Sequence, residues 1–241
     1  MGKRIITQRR GRGTTTYRAP SHRYKFDVMH RKYDDLEKTN YIIGKVIDII
    51  KCPGHFSPIA EVLYENNEHG VIFAPENIKV NDIIYSGSNS PISMGNTLPL
   101  KKIPEGTFVY NIESQPGDGG SFCRSSGTSA KVLSHNDNLT LVELPSKKTK
   151  YFDSNCRATI GIISGAGRLD KPFVKAGFRY HGMKARGKLY PRTSGVAMNA
   201  VDHPFGSGRG RHIGKSKVAP RFAPPGRNVG TIRSKRTGKR A

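Results

Sequence analysis

Asp202 and His203 stand side by side in the run Val201-Asp202-His203-Pro204, pairing a carboxylate with an imidazole as general-base chemistry does. Adjacent side chains seldom aim at one another, and no nucleophile accompanies the pair. Three readings stay open. Asp202 caps a turn while His203 meets a nucleic acid by hydrogen bonding or stacking; His203 assists chemistry done elsewhere; or His203 is itself catalytic. The local chemistry favours the first.

The other chemical constellations are weaker. Gly182-Met183-Lys184-Ala185-Arg186-Gly187-Lys188 has the spacing of a nucleotide-binding loop, but Leu189 stands where the magnesium-binding hydroxyl belongs. No strand precedes it, and Pro191 opposes a following helix. Gly214-Lys215-Ser216 has the hydroxyl, but Gly210 lies one residue too close. Both stretches read as flexible basic backbone. Cys52-Pro53-Gly54-His55 is half of a metal site with no second half in view, so no metal and no cofactor are expected. Cys52, Cys123 and Cys156 read as small buried apolar groups of a reducing compartment. Asn138-Leu139-Thr140 matches a glycosylation sequon but reads as a hairpin turn. The Gly/Ser loop Gln115–Gly127 has two compatible readings: a surface loop, or a nest of backbone N–H groups for phosphate.

These residues sit in a chain whose charge is unevenly spread. Of 241 residues, 41 are Lys or Arg and 18 Asp or Glu, a net +23. Residues 1–40 carry +7, residues 41–176 only +1, and residues 177–241 carry +15 with Asp202 as the single acid. Self-repulsion of that size calls for a polyanion. A membrane is excluded as the partner, because no run approaches the roughly 18 apolar residues of a span. The first residues are basic without an apolar run, and Ile6 fails the myristoylation pattern, so a cytoplasmic protein is expected. The ends are rich in Gly and Pro and hold no sustained apolar period, so they are expected to order only on their partner.

The middle has the β-branched runs and turn chemistry of short strands. Ile42–Ile50, Ile59–Tyr64, Val71–Ala74 and Asp82–Tyr85 suit an oligonucleotide-binding-type barrel. Gly106–Ile112, Ala130–Ser134, Leu139–Leu144, Tyr151–Phe152 and Thr159–Ile163 suit a second, SH3-like barrel. The fold expected is mainly β, with long irregular basic extensions. Its parts are a basic N-terminal extension over 1–40, the first barrel over 41–91, the second over 92–176, and a basic C-terminal extension over 177–241 that penetrates RNA. Arg31–Lys38 and a turn after Gly165 are the helical candidates.

Gly195-Val196-Ala197-Met198-Asn199-Ala200-Val201-Asp202-His203-Pro204-Phe205-Gly206 resembles the universal large-subunit ribosomal protein two family. Ala223-Pro224-Pro225-Gly226-Arg227-Asn228-Val229-Gly230 resembles its archaeal and eukaryotic branch, and Arg124-Ser125-Ser126-Gly127-Thr128 resembles its Arg-Ser-Ala-Gly-Thr segment. The resemblance implies the two barrels in that order. It implies a structural, non-enzymatic constituent of the large ribosomal subunit and a primary binder of large-subunit rRNA. It further implies contact with small-subunit rRNA at the subunit interface and with other ribosomal proteins. Support of subunit association, tRNA binding and peptide-bond formation near the peptidyl transferase centre is implied as well. The family histidine discussed for peptidyl transfer falls on His203. Phe205 replaces a second histidine of the bacterial pattern, which removes a proton-exchanging group, and Ser207 replaces a glycine.

The residues expected to contact rRNA are Arg9, Arg10 and Arg12 at one end, Arg124 in the second barrel, and Arg186, Lys188, Arg192, Asn199, His203, Arg209, Arg211, Arg221 and Arg227 at the other. Two rival functions stand beside this one, and the first predicts the same tails. A DNA-packaging or general nucleic-acid chaperone would bind duplex DNA and rRNA equally. An enzyme using His203 would lose chemistry, but not assembly, on substitution.

Overall fold

A computed structural model of the chain describes residues 2–18, 20–208 and 212–231. The chain divides into two compact units: Ser21–Pro172, and Met1–Pro20 together with Phe173–Ala241.

The first unit is mainly β, as expected. Its strands are β1 (Tyr41–Ile50), β2 (Ile59–Tyr64), β3 (His69–Phe73), β4 (Ile83–Gly87), β5 (Thr97–Pro99), β6 (Phe108–Tyr110), β7 (Ala130–Asn136), β8 (Leu139–Glu143), β9 (Thr149–Asp153) and β10 (Arg157–Ile160). They form one sheet in the order β3-β2-β1-β4-β5-β10-β6-β7-β8-β9. Neighbours are antiparallel except β4 and β5, which meet in parallel at Ser86 and Thr97. Each half has its own core. Ile42, Val46, Val62, Tyr64, Ile72 and Ile84 fill the first. Leu98, Leu100, Val109, Val132, Val142, Phe152 and Ile160 belong to the second. A third cluster, with Val28, Ile59, Phe73, Tyr110 and Ile163, draws on both halves, and the Tyr110 hydroxyl donates to the Phe73 carbonyl at 3.0 Å.

Local chemistry explains the strand geometry. In β1 and β7 the register slips once, at Ile47 and at Leu133, a bulge that increases local twist. A side chain at Gly44 would bring its Cβ within 2.6 Å of Val62, so β1 and β2 pack there only because Cβ is missing. Asn67 in the β2–β3 turn and Asp137 in the β7–β8 turn hold left-handed backbone, a conformation that Asn and Asp tolerate. Strand β5 went unread in the sequence because it has three residues, all buried, and ends on a proline.

A buried ion network ties the unit together. Arg157 of β10 is 1 % exposed. Its guanidinium donates to Glu113 and Glu37 and, at 2.7 Å, to the Arg31 carbonyl. Glu37 lies on α2 (Asp35–Thr39) and accepts from Ser86 of β4 at 2.8 Å. The sequence expectation started this helix at Arg31. It starts later because the Asp34 side chain caps the Glu37 N–H at 3.0 Å. The turn expected after Gly165 is a short 3-10 segment, Ala166–Arg168, entered through left-handed Gly165.

The second unit is built from the two ends of the chain. Ile5, Phe205 and Val229 form its small core, with Val196 and Ile213 against it. The Lys3 N–H donates to the Val201 carbonyl at 2.8 Å, and Val218 bridges Thr231 in parallel. It holds two helices the sequence reading did not expect, α1 (Ile6–Arg10) and α3 (Ala176–Ala185). Helix α3 buries no residue and contains Gly177 and Gly182, so it carries no apolar stripe to read. The Gly182–Ala185 stretch is therefore the end of a helix rather than flexible backbone.

Candidate nucleic-acid interface

Helix α1 places its cations. The Gln8 side chain reaches back to accept the Ile5 N–H at 3.0 Å, half of a capping box, and fixes the first turn. Arg9 and Arg10 then fall in the last turn and are exposed. Arg12 follows on the exposed turn that ends it.

Arg10 lines an open pocket of about 430 Å³ with Arg179, Lys188, Arg192, Tyr17 and Tyr190. The Arg179 guanidinium lies 5.1 Å from the centre of the Tyr190 ring. Gly187, at φ 61°, lets the chain pass so close to the Tyr17 and Arg18 carbonyls that a Cβ would stand 3.0 Å from the former. This glycine of the loop-like motif therefore serves a close backbone approach. Arg186 ends α3.

Asp202 and His203 do not face one another. The Asp202 carboxylate lies 3.8 Å from Lys3 Nζ, an exposed pair of little energetic weight. The Asn199 carbonyl accepts the N–H groups of both Asp202 and His203, at 3.0 and 3.2 Å, and the His203 carbonyl accepts Gly206 at 2.8 Å. A Cβ on Gly206 would sit 2.3 Å from the Asn199 carbonyl oxygen, so the turn is closed to any other residue.

His203 Nδ1 accepts the Phe205 N–H at 3.0 Å, which leaves the ring proton on Nε2. Burial lowers the imidazole below its ordinary value, so the ring is neutral at neutral pH. A neutral ring held this way offers one donor and one face. His203 lines an open pocket of about 400 Å³ with Lys3, Arg4, Gln8, Lys215 and Arg227. Asn199 lines another with Arg4, Arg9 and Asp202.

The unit thus brings Arg9 beside Asn199, Arg10 beside Lys188 and Arg192, and Arg227 beside His203. Arg221 is exposed, 5.7 Å from the Phe222 ring centre, and lines none of these pockets. Arg209 and Arg211 lie outside the described residues. Arg124 belongs to the β unit, where its guanidinium donates to the Val28 carbonyl and faces the Phe73 ring at 5.3 Å. The sequence reading passed over Lys3, Arg4, Arg179, Lys215, Tyr17 and Tyr190. The alternation of cations with aromatic residues in Phe178-Arg179-Tyr180 and Tyr190-Pro191-Arg192 was the signal available.

Two sequence candidates resolve differently. In the Gln115–Gly127 loop, Asp118 accepts the N–H groups of Ser114, Gln115 and Gly120, and Glu113 accepts those of Gly117 and Gly119. Those donors meet the chain's own carboxylates, and the phosphate-nest reading of them fails. Cys52 and His55 touch, with Sγ 3.3 Å from Nδ1, but among the described residues no group of three metal-ligating side chains exists.

A family model described as Ribosomal Proteins L2, C-terminal domain, matches residues 93–222. The chain is 54 % identical to the large ribosomal subunit protein uL2 of Methanobrevibacter smithii over 99 % of both chains. This chain belongs to the ribosomal protein L2 family. It is likewise 55 % identical to the uL2 protein of Haloarcula marismortui, over 99 % of this chain and 98 % of that one. To that of Methanocaldococcus jannaschii it is 52 % identical over the full length of both. These relatives place it in the archaeal-type branch of L2 proteins. In this L2 chain, Phe205 is a core residue, 7 % exposed.

Proposed function

We propose that this protein is a structural constituent of the large ribosomal subunit that binds large-subunit rRNA through the cationic pockets of its terminal unit. The observation that carries the reading is the convergence of cations from both chain ends around α1. Arg10 meets Arg179, Lys188 and Arg192 on one side, and Arg4, Lys215 and Arg227 surround His203 on the other. Guanidinium groups meet phosphates bidentately and release counterions. Arg9, Arg12, Asn199, Arg186 and Arg221 extend the same surface, Arg209 and Arg211 extend it in sequence, and Arg124 is the contact on the β unit.

The protein works in the cytoplasm within the large subunit, beside other ribosomal proteins. It supports subunit association through small-subunit rRNA, and tRNA binding and peptide-bond formation near the peptidyl transferase centre. It is not the catalyst. His203 is neutral and spends Nδ1 on the Phe205 N–H, and among the described residues no carboxylate pairs with it. The four-part chain organisation read from the sequence gives this function its form, with barrels that fix where the basic extensions enter RNA.

The test is competition binding of the full chain between large-subunit rRNA and duplex DNA at several salt concentrations. Preference for rRNA is expected, with a log–log salt slope that shrinks by about one for each phosphate that R10Q or R192Q leaves unneutralised. Equal affinity for both nucleic acids favours a general chaperone and overturns the reading. Normal peptide-bond formation by large subunits carrying H203A is the expected result for a non-catalytic His203.

A further inference from the structure

The β unit carries, around Arg124, a pocket whose aromatic and acidic groups the proposed phosphate contacts do not use. It has a volume of about 400 Å³, at the lower end of small-ligand sites, and is lined by Tyr24, Asp27, Met29, His55, Phe73 and Arg124. Its rings stand in an edge-to-face series. Tyr24 meets His55 at 5.0 Å and His55 meets Phe73 at 5.8 Å between ring centres. The guanidinium of Arg124 lies 5.3 Å from the Phe73 ring centre and is anchored by the Val28 carbonyl. Gly54 admits the Tyr24 ring so closely that a Cβ would stand 2.7 Å from it, so the tyrosine is seated on backbone. Yet Tyr24 remains 46 % exposed and Met29 53 % exposed. An aromatic ring seated on backbone yet about half exposed, beside an exposed thioether, is a stacking platform with surface to spare.

The polar groups decide what the platform takes. Asp27 repels a phosphate and accepts N–H groups. Arg124 supplies donors. His55, kept neutral by burial and by Arg124, faces Cys52 through Nδ1 and leaves Nε2 for a ligand. One acceptor carboxylate and one cationic donor in a pocket that also holds stacking groups match a base edge that combines adjacent N–H donors with ring acceptors.

We propose that this pocket binds one unstacked guanine of the large-subunit rRNA, with Tyr24 stacking on the base, Asp27 accepting N1–H and N2–H, and Arg124 donating to the O6 and N7 side. The proposal rests on the rRNA-binding function above and adds a base-reading site to it.

Kethoxal reacts with N1 and N2 of unpaired guanine, so it reports on the edge assigned to Asp27. The experiment probes complexes of the full chain and large-subunit rRNA, formed with the native chain, with Y24A and with D27N. D27N keeps the side-chain volume at an exposed position, so it preserves the fold. One guanine shielded by the native protein is expected to become more reactive by about fivefold or more with Y24A, the lower range for removing one base–aromatic stack. D27N is expected to expose the same guanine while the rest of the footprint stays in place. An unchanged guanine pattern inside an intact footprint overturns the pocket and leaves rRNA binding standing. A change confined to adenines or pyrimidines also overturns it. Absence of any footprint from the native chain overturns the rRNA-binding function itself.

Discussion

Arg157 and Glu113 form a buried fork: Nη2 and Nε of the arginine lie 2.7 and 3.1 Å from the same carboxylate oxygen, Glu113 Oε1. The other oxygen accepts the Arg157 backbone N–H at 2.8 Å and that of Gly117 at 3.1 Å. Burial pushes the Glu113 carboxyl up, but the hydrogen bonds and charge of Arg157 outweigh it and hold the group below the ordinary range. Glu113→Ala leaves a buried guanidinium short of a partner and frees the Gly117–Gly119 backbone. The expected loss is about 3–5 kcal/mol of unfolding free energy, measured by denaturant titration. Replacing an exposed acid such as Glu65 should cost less than about 0.5 kcal/mol.

His30 gives the same region a pH dependence. Its Nε2 lies 2.6 Å from the Asn111 carbonyl, and burial, helped by the Arg157 charge, lowers its pKa to about 4. An unfolded histidine titrates near 6.5. Between those values the unfolded chain binds the proton and the folded chain does not, so folding stability falls as pH drops through that window. The loss should approach roughly 2–3 kcal/mol near pH 4. Urea melts from pH 7 to 4.5 check it: His30→Gln should remove the largest single share of the slope in that range, to which the lowered His55 and His203 also contribute, and carboxylates held low, such as Glu113, add their own loss only at lower pH.

The difference between what the sequence disclosed and what it hid follows from these residues. β1 was legible as a β-branched run and β2 as a short apolar run, with Asn67 marking the turn that follows. The ion network was not, because Glu37, Glu113 and Arg157 are far apart in sequence and nothing local pairs them. Arg157 stands between Cys156 and Ala158 at the start of β10, and only a charged residue between small apolar neighbours hinted at a buried partner. In the terminal unit the cations were legible as composition. Their grouping was not, since Arg10 reaches Arg192, and Ile5 reaches Phe205 and Val229, only through tertiary packing of the two chain ends.

Gly195 sets the position of His203. A Cβ there would lie 2.5 Å from Cε1 and 2.6 Å from Nδ1 of the imidazole. Gly195→Ala must swing the ring away and break the Phe205 N–H bond to Nδ1. One such bond is worth about 1 kcal/mol, so the Phe205 amide should exchange its hydrogen roughly fivefold faster. Hydrogen-exchange NMR or mass spectrometry reads this directly, and unaltered exchange would show that the ring has another way to accommodate the methyl group.

Phe205 decides whether the terminal unit has a core at all. Its ring packs with Ile5 and Val229, and it sits so close to Gly230 that a Cβ there would come within 2.8 Å of the ring. Phe205→His puts a polar ring into a site whose described neighbours are Ile5, Val229, Val196 and Ile213. Reduced apolar burial and an unsatisfied ring nitrogen together should cost about 2 kcal/mol or more. Phe205→Leu keeps the site apolar and should cost less. Because the core is small, the cost should appear as faster proteolysis of the terminal segments while the β unit keeps its melting temperature. With α1 no longer held against 205 and 229, Arg10 and Arg192 lose their common pocket, so rRNA affinity should fall in Phe205→His and largely persist in Phe205→Leu. Equal rRNA binding by the two variants would mean that the cations find their phosphates without this core.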